Sequence, residues 1–214
     1  YLESRGLLPA SNRSVWVFCG DGEMDEVESI GALGVASREK LNNLIFVVNC
    51  NLVRLDGPCR GNGQIIEELS RYFHGASWDI IKVVWSQAWL QLVEKDHSGS
   101  LKQRLTHLLD GELQTLMSDQ QCLKDWLLND PQTKVLVQDW ADHQFAELLP
   151  GGHDAQLVAN AYAKALQSNR PCVIFVLSEK GHGLKGVTAQ NSAHNQKKLT
   201  DEEQSNYLSF LKLE

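Results

Sequence analysis

The sequence predicts an α/β fold built on a mostly parallel, doubly wound sheet, and three observations lead there. Short apolar runs of the kind buried in parallel sheets recur along the chain: Val15-Trp16-Val17-Phe18-Cys19, Leu44-Ile45-Phe46-Val47-Val48, Ile80-Ile81-Lys82-Val83-Val84-Trp85 and Cys172-Val173-Ile174-Phe175-Val176-Leu177. Segments with helical spacing fall between them, as crossovers between parallel strands require. Two oxygen-bearing side chains, Asp21 and Asn51, stand just past the carboxyl ends of the first two runs. In open parallel sheets that edge is where ligands bind.

Taken in order, residues 1–14 read as a helix end and a polar connector, with Gly6 as the stop and Pro9 to Ser14 as the loop. The first strand, Val15 to Cys19, runs into an acidic turn, Gly20-Asp21-Gly22-Glu23-Met24-Asp25-Glu26, and then a helix to about Arg38. Ile30, Leu33, Gly34 and Ala36 suit that helix to close packing on the sheet, and Glu28 complements its amino-terminal dipole. The second strand, Leu44 to Val48, opens into a polar turn from Asn49 to Pro58. Gly57, Gly61 and Gly63 mark a loop leading to a helix over Ile65 to Phe73. After the third strand, Ile80 to Trp85, residues from about 86 to 150 read as a helical insertion. Leu101, Leu105, Leu108 and Leu109 form one apolar face, and Leu123, Trp126, Leu127 and Leu128 another. Gly151-Gly152-His153-Asp154 closes the insertion as a turn, with Asp154 capping a helix that carries Leu157, Val158, Ala161, Tyr162, Ala165 and Leu166. Pro171 introduces the fourth strand, whose carboxyl end brings Ser178-Glu179-Lys180-Gly181-His182-Gly183 to the edge that holds Asp21 and Asn51. The glycine-rich and polar residues from about 181 to 198 have the composition of an active-site lid.

The chain has 214 residues, 43% of them hydrophobic, enough for a packed core, and a formal net charge of −7. That charge, with no basic patch bearing interleaved aromatics, argues against nucleic acid as a partner. No apolar run reaches the roughly 20 residues that span a bilayer, so no membrane role is expected. The five cysteines, Cys19, Cys50, Cys59, Cys122 and Cys172, lack metal-ligand spacing and read as free thiols of a reducing, cytoplasmic compartment. The six tryptophans are scattered and are assigned to core or interface packing.

The turns after the first two strands carry the chemistry. Magnesium takes about six oxygens and shares them between one or two carboxylate or carbonyl groups and substrate phosphates. Asp21 offers an anionic oxygen, Asn51 an amide oxygen and Val53 a backbone carbonyl. Gly20 and Gly22 remove side chains where the backbone turns and approaches a phosphate, and the following helix directs its free amides at the anion. Glu23 is near enough to join the cofactor shell. Lys180, at a strand end beside glycines, is the best cationic candidate for a diphosphate or a substrate carboxylate. The pattern is neither the lysine-bearing phosphate loop nor the dinucleotide fingerprint.

Gly20-Asp21-Gly22 followed by Asn49-Cys50-Asn51 resembles the thiamine diphosphate motif. The longer set, Gly20 to Glu26, Arg38-Glu39-Lys40-Leu41, Asn49-Cys50-Asn51-Leu52 and Arg54-Leu55-Asp56-Gly57-Pro58 with Gly61-Asn62-Gly63, resembles the homodimeric type of the decarboxylating first component of the pyruvate dehydrogenase complex. The resemblance implies that residues 1–214 are one partial diphosphate-binding domain of a larger enzyme. It also implies thiamine diphosphate and magnesium as cofactors, pyruvate as substrate, and acetyl transfer to the lipoyl domain on the dihydrolipoyl acetyltransferase core. Asp21, Asn51 and the Val53 carbonyl then anchor magnesium, and Gly20, Gly22, Glu23 and Lys180 surround the diphosphate. His194, in Ala193-His194-Asn195-Gln196-Lys197-Lys198, assists acetyl transfer. His182 stands where the family has an aromatic residue, and Val53 where it has glutamine; a main-chain ligand tolerates the second change. No residue matches the family's glutamate for the aminopyrimidine ring, so a second copy or second domain must complete the site. The alternatives are another thiamine diphosphate enzyme, such as a transketolase or other 2-oxo acid dehydrogenase, and a truncated, non-catalytic diphosphate-binding module.

Overall fold

The computed structural model describes residues 2–3, 5–9, 11–54, 57–58, 61–184 and 198–213. Four strands form one parallel sheet in the order β1-β2-β6-β5: β1 Val15–Gly20, β2 Leu44–Cys50, β5 Asp79–Val83 and β6 Cys172–Leu177. The register is regular, with Val15 opposite Leu44, Ile45 opposite Cys172, and Asp79 opposite the same Cys172. A two-residue antiparallel pair, β3 Val53–Arg54 with β4 Gly57–Pro58, follows β2 directly where the sequence suggests only a polar turn.

The sheet is covered on both faces, which is why β6 reads as an unbroken apolar run and is buried along its whole length. Because side chains alternate along a strand, Val173, Phe175 and Leu177 enter the core under α1 Val27–Arg38, α2 Ile65–Gly75 and the insertion. Cys172, Ile174 and Val176 enter the second core, beneath α9 Ala155–Ala165. Aromatic rings seal the first layer: Phe73 meets Trp78 and Phe175 edge-on, and the Trp78 indole N–H donates to the Leu33 carbonyl at 3.0 Å. Trp16 lies 5.0 Å from Tyr162 of α9 on the opposite face.

The insertion is helical as expected: α3 Gln87–Lys95, α4 Ser100–His107, α5 Asp110–Ser118, α6 Gln120–Leu128, α7 Pro131–Val137 and α8 Asp142–Ala146. Several starts are fixed by acidic caps, Asp119 accepting from the amides of Gln121 and Cys122 and Asp130 from those of Gln132 and Thr133. Arg104 ties α4 to its neighbours, donating to Thr133 Oγ1 at 2.8 Å and to the Trp126 carbonyl at 2.7 Å while stacking on the Trp126 ring. Asp154 caps α9 through the Leu157 amide, as its position predicts, and also accepts from the Gln87 amide, joining α9 to α3. A last helix, α10 Asp201–Phe210, begins at a capping box between Thr200 and Glu203. Among the described residues no helix is long and apolar enough to cross a membrane.

Candidate functional site

Parallel pairing puts the carboxyl ends of β1, β2 and β6 on one edge, and side chains then tie those ends together. The Asp21 amide donates to the Asn49 carbonyl at 3.2 Å, and the Ser178 amide to the Cys50 carbonyl at 3.0 Å. Asn49 Oδ1 accepts from the Ser178 hydroxyl at 2.6 Å.

Asp21 is the centre of this edge. Its residue is 2% exposed, and its carboxylate accepts from the Gly22 amide through Oδ1 at 2.9 Å and from the Leu52 amide through Oδ2 at 3.0 Å. One buried carboxylate thus bridges the turns after β1 and β2. Leu52 holds a left-handed backbone, φ +61, while its side chain is fully buried. That conformation costs an L-residue roughly 1–2 kcal/mol and persists where the surroundings over-determine it. Asn51 Oδ1 accepts from the Val53 amide at 3.1 Å, an Asx turn that fixes the amide orientation. A carboxylate, an amide oxygen and a main-chain carbonyl are the hard donors that magnesium takes, and the residues present fit that ion.

The helix follows the acidic turn, as the sequence suggests, and the turn has a structure of its own. Asp21 caps a 3-10 turn, Gly22–Asp25, Glu26 is extended, and α1 begins at Val27. The Gly22 amide is taken by Asp21, and Glu23 folds back so that its carboxylate accepts from the Gly20 amide at 2.6 Å. The dipole of α1 therefore starts after the acidic turn, where the sequence places the helix, and the turn itself is taken up by its own side-chain bonds. Burial and then the Glu23 charge push the Cys19 thiol up to about 11, so that it stays protonated at neutral pH.

On the β6 side, Lys180 stands half-buried in the turn after Ser178, on the same edge as Asp21. Two histidines far apart in sequence meet beside it. His153 Nε2 accepts from the Glu179 amide at 2.8 Å, and the His153 ring stacks on His182 with centroids 3.6 Å apart and planes at 13°. His182 Nδ1 bonds the Glu179 carboxylate at 2.8 Å. Burial, and then the neighbouring His182, lower the His153 pKa to about 4. The ligand atoms of His153, Glu179 and His182 lie within 4.8 Å of one another. Near-parallel stacked rings cannot both direct in-plane lone pairs at one ion, however, and His153 Nε2 is already an acceptor. His194 and residues 185–197, most of the stretch expected from its composition to form a lid, lie outside the described residues, as do Leu55 and Asp56.

The sequence reading missed Leu52, whose residue type carries no left-handed signal, and the pairing of His153 with His182. The one available cue was the histidine in the slot after Lys180-Gly181.

Residues 5–106 match the family model described as transketolase, thiamine diphosphate binding domain. Over that stretch the chain is similar to thiamine diphosphate-binding domains. The chain is also a relative of pyruvate dehydrogenase E1 components, as the Gly20–Glu26 and Asn49–Pro58 motifs imply. It is 48% identical to the protein of that name from Cupriavidus necator and 46% identical to that from Escherichia coli, with 93% of this chain and 23% of each relative covered. Identity to the Haemophilus influenzae protein is 42% over all of this chain and 24% of that one. The chain thus spans about a quarter of the length of these curated relatives. Among solved structures, a transketolase from Campylobacter jejuni matches with a TM-score of 0.57 at 14% identity, covering 99% of this chain and 23% of that one. A Pichia stipitis transketolase mutant gives 0.52 at 16% identity over 92% of this chain and 19% of its own. These structural likenesses support the α/β fold.

Proposed function

We propose that this chain is the magnesium- and thiamine diphosphate-binding portion of an enzyme that oxidatively decarboxylates pyruvate and passes the acetyl group to lipoamide. The observation that carries the reading is the buried Asp21 carboxylate, bonded to the turn that presents Asn51 and Val53. Asp21, Asn51 Oδ1 and the Val53 carbonyl would hold magnesium. Gly20 and Gly22 would let the diphosphate approach the backbone, Lys180 would offset its charge, and Glu23 would complete the shell after leaving the Gly20 amide. Bound thiamine diphosphate supplies the carbon nucleophile and electron sink that decarboxylation needs, while the protein supplies position and electrostatics. His194 would assist acetyl transfer from within the lid. A second copy or second domain would complete the aminopyrimidine side, and the lipoyl domain on the dihydrolipoyl acetyltransferase core would be the acceptor, in the cytoplasm.

Titration calorimetry with thiamine diphosphate tests this reading. Binding that requires Mg2+ is the expected result, and no binding with or without Mg2+ would overturn it. With the full-length protein, turnover of pyruvate but not of sugar phosphates separates this activity from a transketolase reaction. Binding without any turnover would mark a non-catalytic diphosphate-binding module instead.

A further inference from the structure

We infer that His153 is a positioning residue: stacked on His182, it clips the turn that carries Lys180 and so sets where that cation meets an anionic ligand. The inference rests on the proposed diphosphate role of Lys180, and the geometry that supports it comes from three separate segments. The 3-10 turn Gly151–His153 runs hard against the end of β6, since a Cβ on Gly152 would lie 2.5 Å from the Leu177 carbonyl oxygen and 2.7 Å from Val176 Cγ1. Only glycine lets the turn come this close. The turn is anchored on its other side by the Gly151 amide, which donates to the Val84 carbonyl at 2.8 Å. From that fixed base His153 Nε2 receives the amide N–H of Glu179, the residue immediately before Lys180.

The far side of Lys180 is held as well. Gly181 has φ +71, and His182 returns to the Glu179 carboxylate, whose side chain is only 8% exposed. Phe210 of α10 then meets His182 edge-on at 5.3 Å, making a row of three rings, and a Cβ on Gly183 would strike that phenyl ring. Lys180 is thus bracketed by a backbone bond to His153 on one side and a side-chain bond to Glu179 on the other. His153 reaches the ligand only through Lys180, so its effect on binding must depend on the lysine.

The test is a double-mutant cycle in the full-length protein, read as the dissociation constant for thiamine diphosphate with Mg2+. His153→Phe keeps a ring to stack on His182 but removes the acceptor, whereas His153→Gln places an amide oxygen near the former Nε2. Loss of one hydrogen bond predicts about 5- to 10-fold weaker binding for His153→Phe, with recovery in His153→Gln. In a Lys180→Ala background the same His153→Phe change should alter binding by less than about 2-fold, because the partner it acts through is gone. Equal weakening in both backgrounds, or none in either, overturns the inference. Hydrogen exchange of the Glu179 amide reads the clip without any ligand: it should accelerate in His153→Phe and not in His153→Gln, and unchanged exchange in His153→Phe also overturns it. Wild-type protein that binds no thiamine diphosphate but shows the predicted exchange pattern would sink the proposed function and leave the clip standing.

Discussion

Replacing His153 with phenylalanine should flatten the acid limb of the stability profile, and the size of that change follows from the site. His153 is lowered from 6.5 to about 4, by burial first and His182 second, against an opposing pull from Glu179. Between those two values the unfolded chain binds a proton that the folded chain refuses. Stability therefore rises with pH through that window, and is lost as pH falls from about 6.5 towards 4. Each pH unit across the window would carry about 1.4 kcal/mol for an isolated, fully buried group. His153 is only half-buried and faces a carboxylate, so solvent screening reduces the expected total to roughly 1–2 kcal/mol. Protonation would also destroy the acceptor that holds the Glu179 amide. The assay is urea unfolding by tryptophan fluorescence between pH 7.5 and 4.5. The wild type should lose that increment, and the variant, though less stable at pH 7.5, should lose less over the same range. Asp96, Asp119, Asp130 and Asp142 are all held below their ordinary 3.8, so their contributions vanish only at still lower pH. Parallel curves for the two proteins would refute the assignment.

Asp21→Asn should abolish the thermal stabilisation given by thiamine diphosphate with Mg2+. A ligand at a hundred times its dissociation constant adds about 2.7 kcal/mol, roughly 5–10 °C for a domain of this size, and a scanning-fluorimetry shift of equal size in the variant would contradict the site. Gly152→Ala should destabilise the fold by about 1–3 kcal/mol, since its Cβ would meet the Leu177 backbone oxygen, which cannot swing aside, as well as the Val176 side chain. Chemical denaturation checks this, and an unchanged midpoint would show that the turn can retreat from β6.

The strands were legible because apolar, β-rich runs such as Leu44–Val48 and Cys172–Leu177 are bounded by turn residues, and a fully buried strand has no polar face to blur the pattern. Their order was not. Nothing in the local sequence states that β6 inserts between β2 and β5, since the strands are all mainly apolar runs and none carries a mark of its neighbour. Asp21 and Asn51 could be placed on one edge from the parallel reading alone, but the bond from Asp21 to the second turn is made to the Leu52 amide, in a conformation that leucine does not advertise. The start of α1 was legible because the acidic turn Gly20–Glu26 gives way to small and apolar residues at helical spacing, whereas the 3-10 form of that turn leaves no separate mark in the sequence. α10 went unread although Thr200 and Glu203 spell its capping box. The contact between His153 and His182 joins residues on separate segments, and no spacing rule reaches across the fourth strand.

The most direct measurement is the position of the ion itself. Crystals grown with thiamine diphosphate and Mn2+ in place of Mg2+ would report it by anomalous scattering. A peak bonded to the Asp21 carboxylate, Asn51 Oδ1 and the Val53 carbonyl is the predicted result. A peak beside His153, Glu179 and His182, with none at Asp21, would contradict the account.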